Sequence, residues 1–159
     1  MAEKMKGRAA FDYAYAHYTD TVFRVACHNT ANRSDAEDVT QGVFLKLLEQ
    51  NRSFQNEEHL KAWLIRVTVN QCHNLTRNHK YLTVLDETVP APEQGDSVLE
   101  FVRQLPEKYR NAIYLHYYEG YTAAEIGKIL GAGQNTVLSW LSRGREMLKK
   151  NMIGGFEDE

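Results

Sequence analysis

Apolar residues recur at helical spacing along most of the chain. Phe11, Tyr15, Tyr18 and Val22, for example, lie three or four positions apart, as they would on one side of an α-helix. Residues 51–56 are polar and aperiodic, and we expect a loop there. The spacing predicts seven helices, over residues 9–29, 34–50, 58–79, 97–104, 106–120, 122–131 and 134–150.

Two capping boxes mark helix starts. Ser34 with Glu37 three residues later is expected to open the second helix, and Thr122 with Glu125 the sixth. Residues 131–133, Gly-Ala-Gly, then form a short turn before the basic last helix. A short capped helix, a glycine-bearing turn and a second helix predict a helix-turn-helix.

Residues 81–96 interrupt the helical pattern. They contain Pro90 and Pro92, are acidic and show no period, which is typical of a domain boundary. The third proline, Pro106, is expected as the first residue of the fifth helix. We therefore expect an all-α protein with two small helical domains. These are an N-terminal domain of three to four helices at 1–80, a flexible acidic linker at 81–96, and a four-helix domain with the helix-turn-helix at 97–159.

Charge is unevenly distributed along the chain. The net charge of −2 and a pI near 6.3 argue against indiscriminate nucleic-acid binding. Residues 61–80 nevertheless carry bases and no acid, residues 81–100 carry acids and no base, and residues 134–150 are again mainly basic. This basic, acidic, basic pattern is the first indication of function.

Several classes of protein are disfavoured. No run of eighteen apolar residues occurs, and the first six residues lack the apolar core of a signal peptide, so we expect a cytoplasmic protein without membrane insertion. Cys27 and Cys72 each precede a histidine, but neighbours on a helix point about 100° apart. We expect reduced, partly buried thiols, with no metal and no cofactor. No phosphate loop, catalytic triad or paired carboxylates indicate an enzyme.

The last helix has a polar side suited to a major groove. Val137, Leu141 and Leu148 share one side of the helical wheel, whereas hydrogen-bonding and basic residues lie opposite. We favour DNA binding over the alternative, a plain helical hairpin with a solvated face. The polar side contains Asn135, Ser139, Ser142 and Arg143.

The helix at 58–79 carries a narrow cationic stripe at four- and three-residue spacing. Such a stripe suits a phosphate backbone or bases at a strand opening, but it also suits a solvated basic face, and the residues alone do not decide between the two. Its members are Arg66, Asn70, His73, Arg77 and Lys80.

The helix at 34–50 is apolar on two sides. One side, which includes Val39, Val43 and Leu47, is the expected core contact. The other is a candidate partner surface, because a small domain rarely buries two sides of one helix; the alternative is a helix buried all round. This second stripe consists of Phe44, Leu45 and Leu48, flanking Asp38 and Gln41.

These segments resemble the extracytoplasmic-function (ECF) group of bacterial sigma-70 factors. Residues 35–45 (Asp-Ala-Glu-Asp-Val-Thr-Gln-Gly-Val-Phe-Leu) are similar to that group's polymerase-binding helix, and residues 62–70 (Ala-Trp-Leu-Ile-Arg-Val-Thr-Val-Asn) to the start of its −10-reading helix. Residues 105–110, 121–127, 136–137 and 141–143 resemble its C-terminal domain. The motifs occur in the family's order and spacing over about residues 10–150.

The resemblance implies a sigma factor that directs core RNA polymerase to promoter DNA and does no covalent chemistry. It places the grip on polymerase at Asp38, Gln41, Phe44, Leu45 and Leu48. It places −10 recognition at a loop over Ser53–Lys61 and at Arg66, Asn70, His73, Asn74, Arg77 and Lys80. It places −35 recognition at Gln134, Asn135, Thr136, Leu138, Ser139, Ser142 and Arg143. An anti-sigma factor partner is typical of the group, although no residue here establishes one.

The chain departs from the group's pattern at several positions. Leu138 and Trp140 stand where basic residues are usual, so we predict few phosphate contacts and a shallow salt dependence at the −35 element. Gly144 replaces a usual alanine, Asn74 an aspartate and Gly42 a glutamate. We expect Trp140 and Trp63 to pack mainly in the core.

Two other functions compete with this one. A conventional helix-turn-helix regulator would bind palindromic DNA as a free dimer and use the first 80 residues for ligand binding or dimerisation. A sigma-like accessory factor would never start transcription.

Overall fold

A computed structural model describes residues 5–50, 52–78 and 97–157. Within these ranges nearly every residue is helical, so the all-α prediction is confirmed. The described residues form two compact units, one on each side of the interval between residues 78 and 97. The predicted linker at 81–96 and Lys80 lie outside the described residues. None of the described helices combines the length and hydropathy that a membrane crossing requires.

The first unit contains three helices and a short strand pair. The helices are α1 (Gly7–His28), α2 (Arg33–Glu49) and α3 (Glu57–Asn78), and the strands are β1 (Met5–Lys6) and β2 (Ser53–Phe54), which pair antiparallel. All three helices pack on one another because each presents an apolar side to the same core. This core includes Ala14, Val22, Val43, Leu47, Leu60 and Leu64.

The second unit contains four helices, as the sequence predicts. They are α4 (Ser97–Arg103), α5 (Glu107–Tyr117), α6 (Ala123–Leu130) and α7 (Gln134–Glu157). Helix α7 packs against the other three, and it continues beyond the predicted end at residue 150. Its core includes Val102, Leu105, Ile113, Leu115, Ile126, Val137 and Leu141.

The predicted capping box at Ser34 is wrong. Asn32 is the N-cap of α2, and its side-chain oxygen accepts a hydrogen bond from the Asp35 backbone N–H at 2.8 Å. Asparagine caps a helix as well as serine does, so the helix begins one residue earlier, at Arg33. Glu37 does not complete a capping box. Its carboxylate forms an ion pair with Arg33, in which Oε1 lies 3.1 Å from Nε.

Two further boundaries differ from the prediction. Pro106 is the N-cap of α5 and not its first residue, and α5 ends at Tyr117, three residues before Gly120. The predicted loop at 51–56 contains β2. This strand forms by pairing with β1, which lies far earlier in the chain, and no local sequence pattern indicates such a pairing.

The cysteines are buried as structural side chains. Cys27 and Cys72 are 2% and 1% exposed, and the Cys72 thiol donates to the Ala26 carbonyl oxygen at 4.0 Å.

Candidate functional site

An apolar groove opens between α1 and α2 of the first unit. Its volume is about 360 Å³. Three aromatic rings and two leucines form most of its lining, and a few hydroxyl and amide groups complete it. The lining residues are Phe11, Tyr15, Thr19, Thr40, Gln41, Phe44, Leu45 and Leu48.

The second apolar stripe of α2 contains one buried and two exposed side chains. Phe44 is only 5% exposed, and its ring packs edge-on against Tyr15 and Phe11 with centroids 5.7 and 6.0 Å away. Leu45 and Leu48 are 58% and 40% exposed. The apolar surface that this stripe exposes therefore comes mainly from the two leucines, and Phe44 is almost fully covered.

Helix α1 contributes three of the eight residues that line the groove, which the sequence did not predict. Phe11 and Tyr15 stack on each other at 5.8 Å, and Tyr15 is 60% exposed. In the sequence these residues indicate only a helix. The large exposed fraction of Tyr15 follows from tertiary packing. Asp38 and Gln41 are both exposed on the same helix as the leucines.

The polar stripe of α3 lies on the solvent side of that helix. Arg66, Asn70, His73 and Asn74 are all exposed, whereas Leu64, Val67 and Thr68 on the opposite side are buried. The Thr68 hydroxyl donates to the Leu64 carbonyl oxygen at 2.6 Å, so this buried polar group is satisfied within the helix. Of the predicted −10 residues, the side chain of Arg77 and all of Lys80 lie outside the described residues. Trp63, at 7% exposed, is a core residue as expected.

Residues 53–61 are not the loop that the resemblance implies. They comprise β2, two connecting residues and the first turn of α3. Asn56 caps this turn, since its side-chain oxygen accepts from the His59 backbone N–H at 2.8 Å. Phe54 is fully buried, edge-on against Trp63 at 5.5 Å. The β2 pairing and the Asn56 cap therefore fix the backbone of this segment as it leads into α3.

The helix-turn-helix is formed by α6 and α7 as predicted. Thr122 and Glu125 make both hydrogen bonds of the capping box, and these bonds lower the pKa of Glu125. Gly131 ends α6 with a φ of +75°, a left-handed conformation that favours glycine. The Ala132 N–H donates back to the Gly127 carbonyl oxygen at 2.8 Å, which closes the turn.

Helix α7 presents its predicted reading side to solvent. All seven predicted −35 residues are exposed, while Val137, Leu141 and Gly144 are buried against the unit. Leu138 is 47% exposed. Trp140 is half-buried, so it packs only partly in the core. The guanidinium of Arg143 beside Tyr109 lowers the pKa of that phenol.

Family models match both units. Residues 14–81 match sigma-70 region 2, and residues 95–148 match sigma-70 region 4. The chain is 31% identical over 156 residues to the ECF RNA polymerase sigma factor SigE of Mycolicibacterium smegmatis, an alignment that covers 88% of this chain and 60% of SigE. It is 26% identical over 158 residues to the ECF sigma factor SigW of Bacillus subtilis, with 85% and 84% covered. The chain belongs to the ECF group of sigma-70 factors.

Solved structures share the fold of this ECF sigma factor. The sigma factor RpoE of Bartonella quintana, solved in complex with the anti-sigma factor NepR, superposes with a TM-score of 0.68 at 21% identity. That match covers 88% of this chain and 94% of RpoE. CnrH, solved in complex with the cytosolic domain of CnrY, gives a TM-score of 0.69 at 20% identity, covering 91% of this chain and 88% of CnrH.

Proposed function

We propose that this ECF sigma factor binds core RNA polymerase, recognises the −10 and −35 elements of a promoter and initiates transcription in the cytoplasm. The observation that carries the proposal is the apolar groove with two exposed leucines on the same unit as the polar stripe of α3. A protein-binding surface and a DNA-binding surface on one small unit fit a subunit that brings an enzyme to DNA. The catalysis belongs to the polymerase, and this subunit contributes binding energy alone.

The groove is the proposed polymerase site. Leu45 and Leu48 expose apolar surface that a helical partner would cover, and because each is already about half buried, each contributes about half of the roughly 1.5–3 kcal/mol of a full Leu burial. Asp38 and Gln41 lie beside them and give the contact polar specificity. The partner is the clamp helices of core polymerase, as the family resemblance implies.

The exposed stripe of α3 and residues 53–61 are the proposed −10 site. Arg66 supplies a phosphate contact, while Asn70 and Asn74 supply amide donors and acceptors for base edges. Extracting a base from the stack costs on the order of a few kcal/mol, which contacts to the exposed base offset. His73 lies on the same stripe, and the sequence spacing assigns Arg77 and Lys80 to it.

The helix-turn-helix is the proposed −35 site. The start of α7 offers Gln134, Asn135, Thr136, Ser139 and Ser142 as hydrogen-bonding groups for a major groove, with Arg143 for the backbone. Leu138, exposed among them, suits the methyl group of a thymine better than a phosphate. In this assignment residues 1–80 bind polymerase and the −10 element, and residues 97–159 bind the −35 element. Residues 81–96 are the linker between these two domains.

An anti-sigma factor is the proposed regulator. Two proteins of this fold, RpoE and CnrH, have been solved with NepR and CnrY bound. An inhibitor that covers Leu45 and Leu48 would compete with polymerase for the same apolar surface.

Reconstituted transcription tests the proposal. The chain is added to core polymerase with a library of promoter fragments, and start sites are mapped. Promoter-specific initiation that requires both components supports a sigma factor. Tight binding of a palindrome by the free chain would support a conventional regulator, and binding to polymerase without any initiation would support an accessory factor.

A further inference from the structure

The start of α1 and the strand before it hold residues 53–61 in place. We infer that β1 and Tyr13 position this segment for the −10 element, so that Tyr13 is a positioning residue for promoter opening. The inference rests on the proposed −10 role of the segment, which we call the capture segment.

A backbone ladder fixes one end of the capture segment. Met5 and Lys6 of β1 pair antiparallel with Phe54 and Ser53 of β2. The pairing directs Phe54 inward, where it is fully buried between the rings of Trp63 and His59, with centroids 5.5 and 5.3 Å away. The alternation along a strand then directs Ser53 outward, and it is exposed.

Hydrogen bonds within the segment fix the connection between β2 and α3. Asn56 caps α3 through the His59 N–H, and the His59 ring nitrogen Nδ1 accepts from the Gln55 N–H at 3.2 Å. Gln55 and Asn56 are therefore oriented by the first turn of α3, and both remain exposed. The exposed Gln55 amide on this fixed backbone is suited to reading a base edge, whereas the Asn56 oxygen is engaged in the cap.

Tyr13 ties the middle of the segment, where α3 begins, to α1. Its hydroxyl donates to Oε2 of Glu57, the first residue of α3. The bond to the Glu57 carboxylate raises the pKa of Tyr13 to about 12, so the phenol keeps its proton and remains the donor near neutral pH. Tyr13 is itself held by ring contacts with His17 and Tyr18, at 4.2 and 6.0 Å.

These contacts lower the entropy cost of capturing a base. A segment that is already ordered does not lose conformational freedom on binding, and the saving appears as affinity for single-stranded DNA. Neither β1 nor Tyr13 lines the polymerase groove, so their effect is specific to the −10 step.

The test compares paired variants in the reconstituted holoenzyme. Tyr13→Phe removes the donor, Glu57→Ala removes the acceptor, and Glu57→Gln removes the same charge but keeps an acceptor oxygen. Tyr117→Phe is the matched control, because it deletes a phenolic hydroxyl that contacts Arg145 in the second unit. The readouts are affinity for a single-stranded oligonucleotide carrying the −10 sequence of a promoter selected by the wild-type holoenzyme, and affinity for core polymerase.

We expect Tyr13→Phe and Glu57→Ala to weaken oligonucleotide binding by about three- to tenfold, the range for one lost hydrogen bond. Glu57→Gln and Tyr117→Phe should stay within about twofold of wild type, and affinity for core polymerase should not change. A general loss of folding would instead lower both affinities together.

Two results would overturn the inference, and they are distinguishable. If Tyr13→Phe and Glu57→Ala bind the oligonucleotide as wild type does, the contact does not position the segment. If the wild-type holoenzyme shows no preference for the −10 strand, the proposed −10 function fails, and the role of Tyr13 fails with it.

Discussion

Two glycines of the second unit lie where neighbouring atoms leave no room for a Cβ. A Cβ on Gly127 would lie 2.4 Å from the Ala132 carbonyl oxygen, and one on Gly144 would lie 2.8 Å from Cγ1 of Ile113. Ile113 is 1% exposed and has little room to move. Glycine therefore stands at position 144, where the group usually has alanine, because the large Ile113 side chain lies opposite it.

Gly127→Ala should destabilise the second unit by about 1–3 kcal/mol, since the Ala132 backbone must shift to admit the methyl group. Gly154→Ala is the matched control, because a Cβ there meets nothing within 4 Å. It should be neutral or stabilising by up to about 1 kcal/mol through higher helix propensity. Amide hydrogen exchange in α6 and α7 measures both effects, and equal protection in the two variants would contradict the steric argument.

Cap residues show what local sequence can and cannot predict. Thr122 and Glu125 form the predicted capping box, and Gly131 ends the helix as predicted. At the start of α2, Asn32 and Ser34 are both good caps only two residues apart, and local preference does not choose between them. The choice follows from where the chain leaves α1, which is a tertiary effect.

At the scale of the element, α2 is the helix whose two apolar sides differ most in exposure. Its periodicity predicted both sides, and the core side is buried as expected. The same pattern could not show that Phe44 is buried while Leu45 and Leu48 are exposed, because α1 covers Phe44 with aromatic rings. The sequence also could not predict the strand pair, because a two-residue strand is too short to show a period.

Leu45→Glu should weaken binding to core polymerase by at least about tenfold, because burying a Leu side chain contributes roughly 1.5–3 kcal/mol and a buried carboxylate is costly. Folding should be unaffected, since Leu45 is 58% exposed. Ile153→Glu makes the same change at a 47% exposed position in the second unit and should leave affinity unchanged. A titration of labelled chain with core polymerase compares them. Wild-type affinity for Leu45→Glu would show that the groove is not the polymerase site.

Helix α7 gives a prediction about salt. With Leu138 and Trp140 at positions where basic residues are usual, −35 binding should depend weakly on salt. Leu138→Arg adds one phosphate contact and should steepen the slope of log affinity against log salt by about 0.9. Ile153→Arg adds the same charge to the same helix at equal exposure, 47%, and should change the slope much less. An unchanged slope for Leu138→Arg, or a steep slope for wild type, would contradict the assignment.

At the scale of the whole molecule, the order of charge along the chain matches the proposed division of labour. The basic residues at 61–80 and 134–150 fall in the two proposed DNA-binding elements, and the acidic residues at 81–100 fall between them. The net charge stays near zero, which limits attachment to DNA without polymerase. In the proposed function, polymerase places both elements on one promoter.

The central claim is that this chain, bound to core polymerase, opens a promoter with binding energy alone. The most direct measurement is a footprint of the reconstituted holoenzyme on one promoter fragment, with DNase I protection and permanganate reactivity read together and no nucleotide added. We expect protection at the −35 and −10 elements and reactive thymines around the −10 element, with neither signal from the free chain or from core polymerase alone. Protection of a palindromic site by the free chain, with no reactive thymine when polymerase is added, would contradict it.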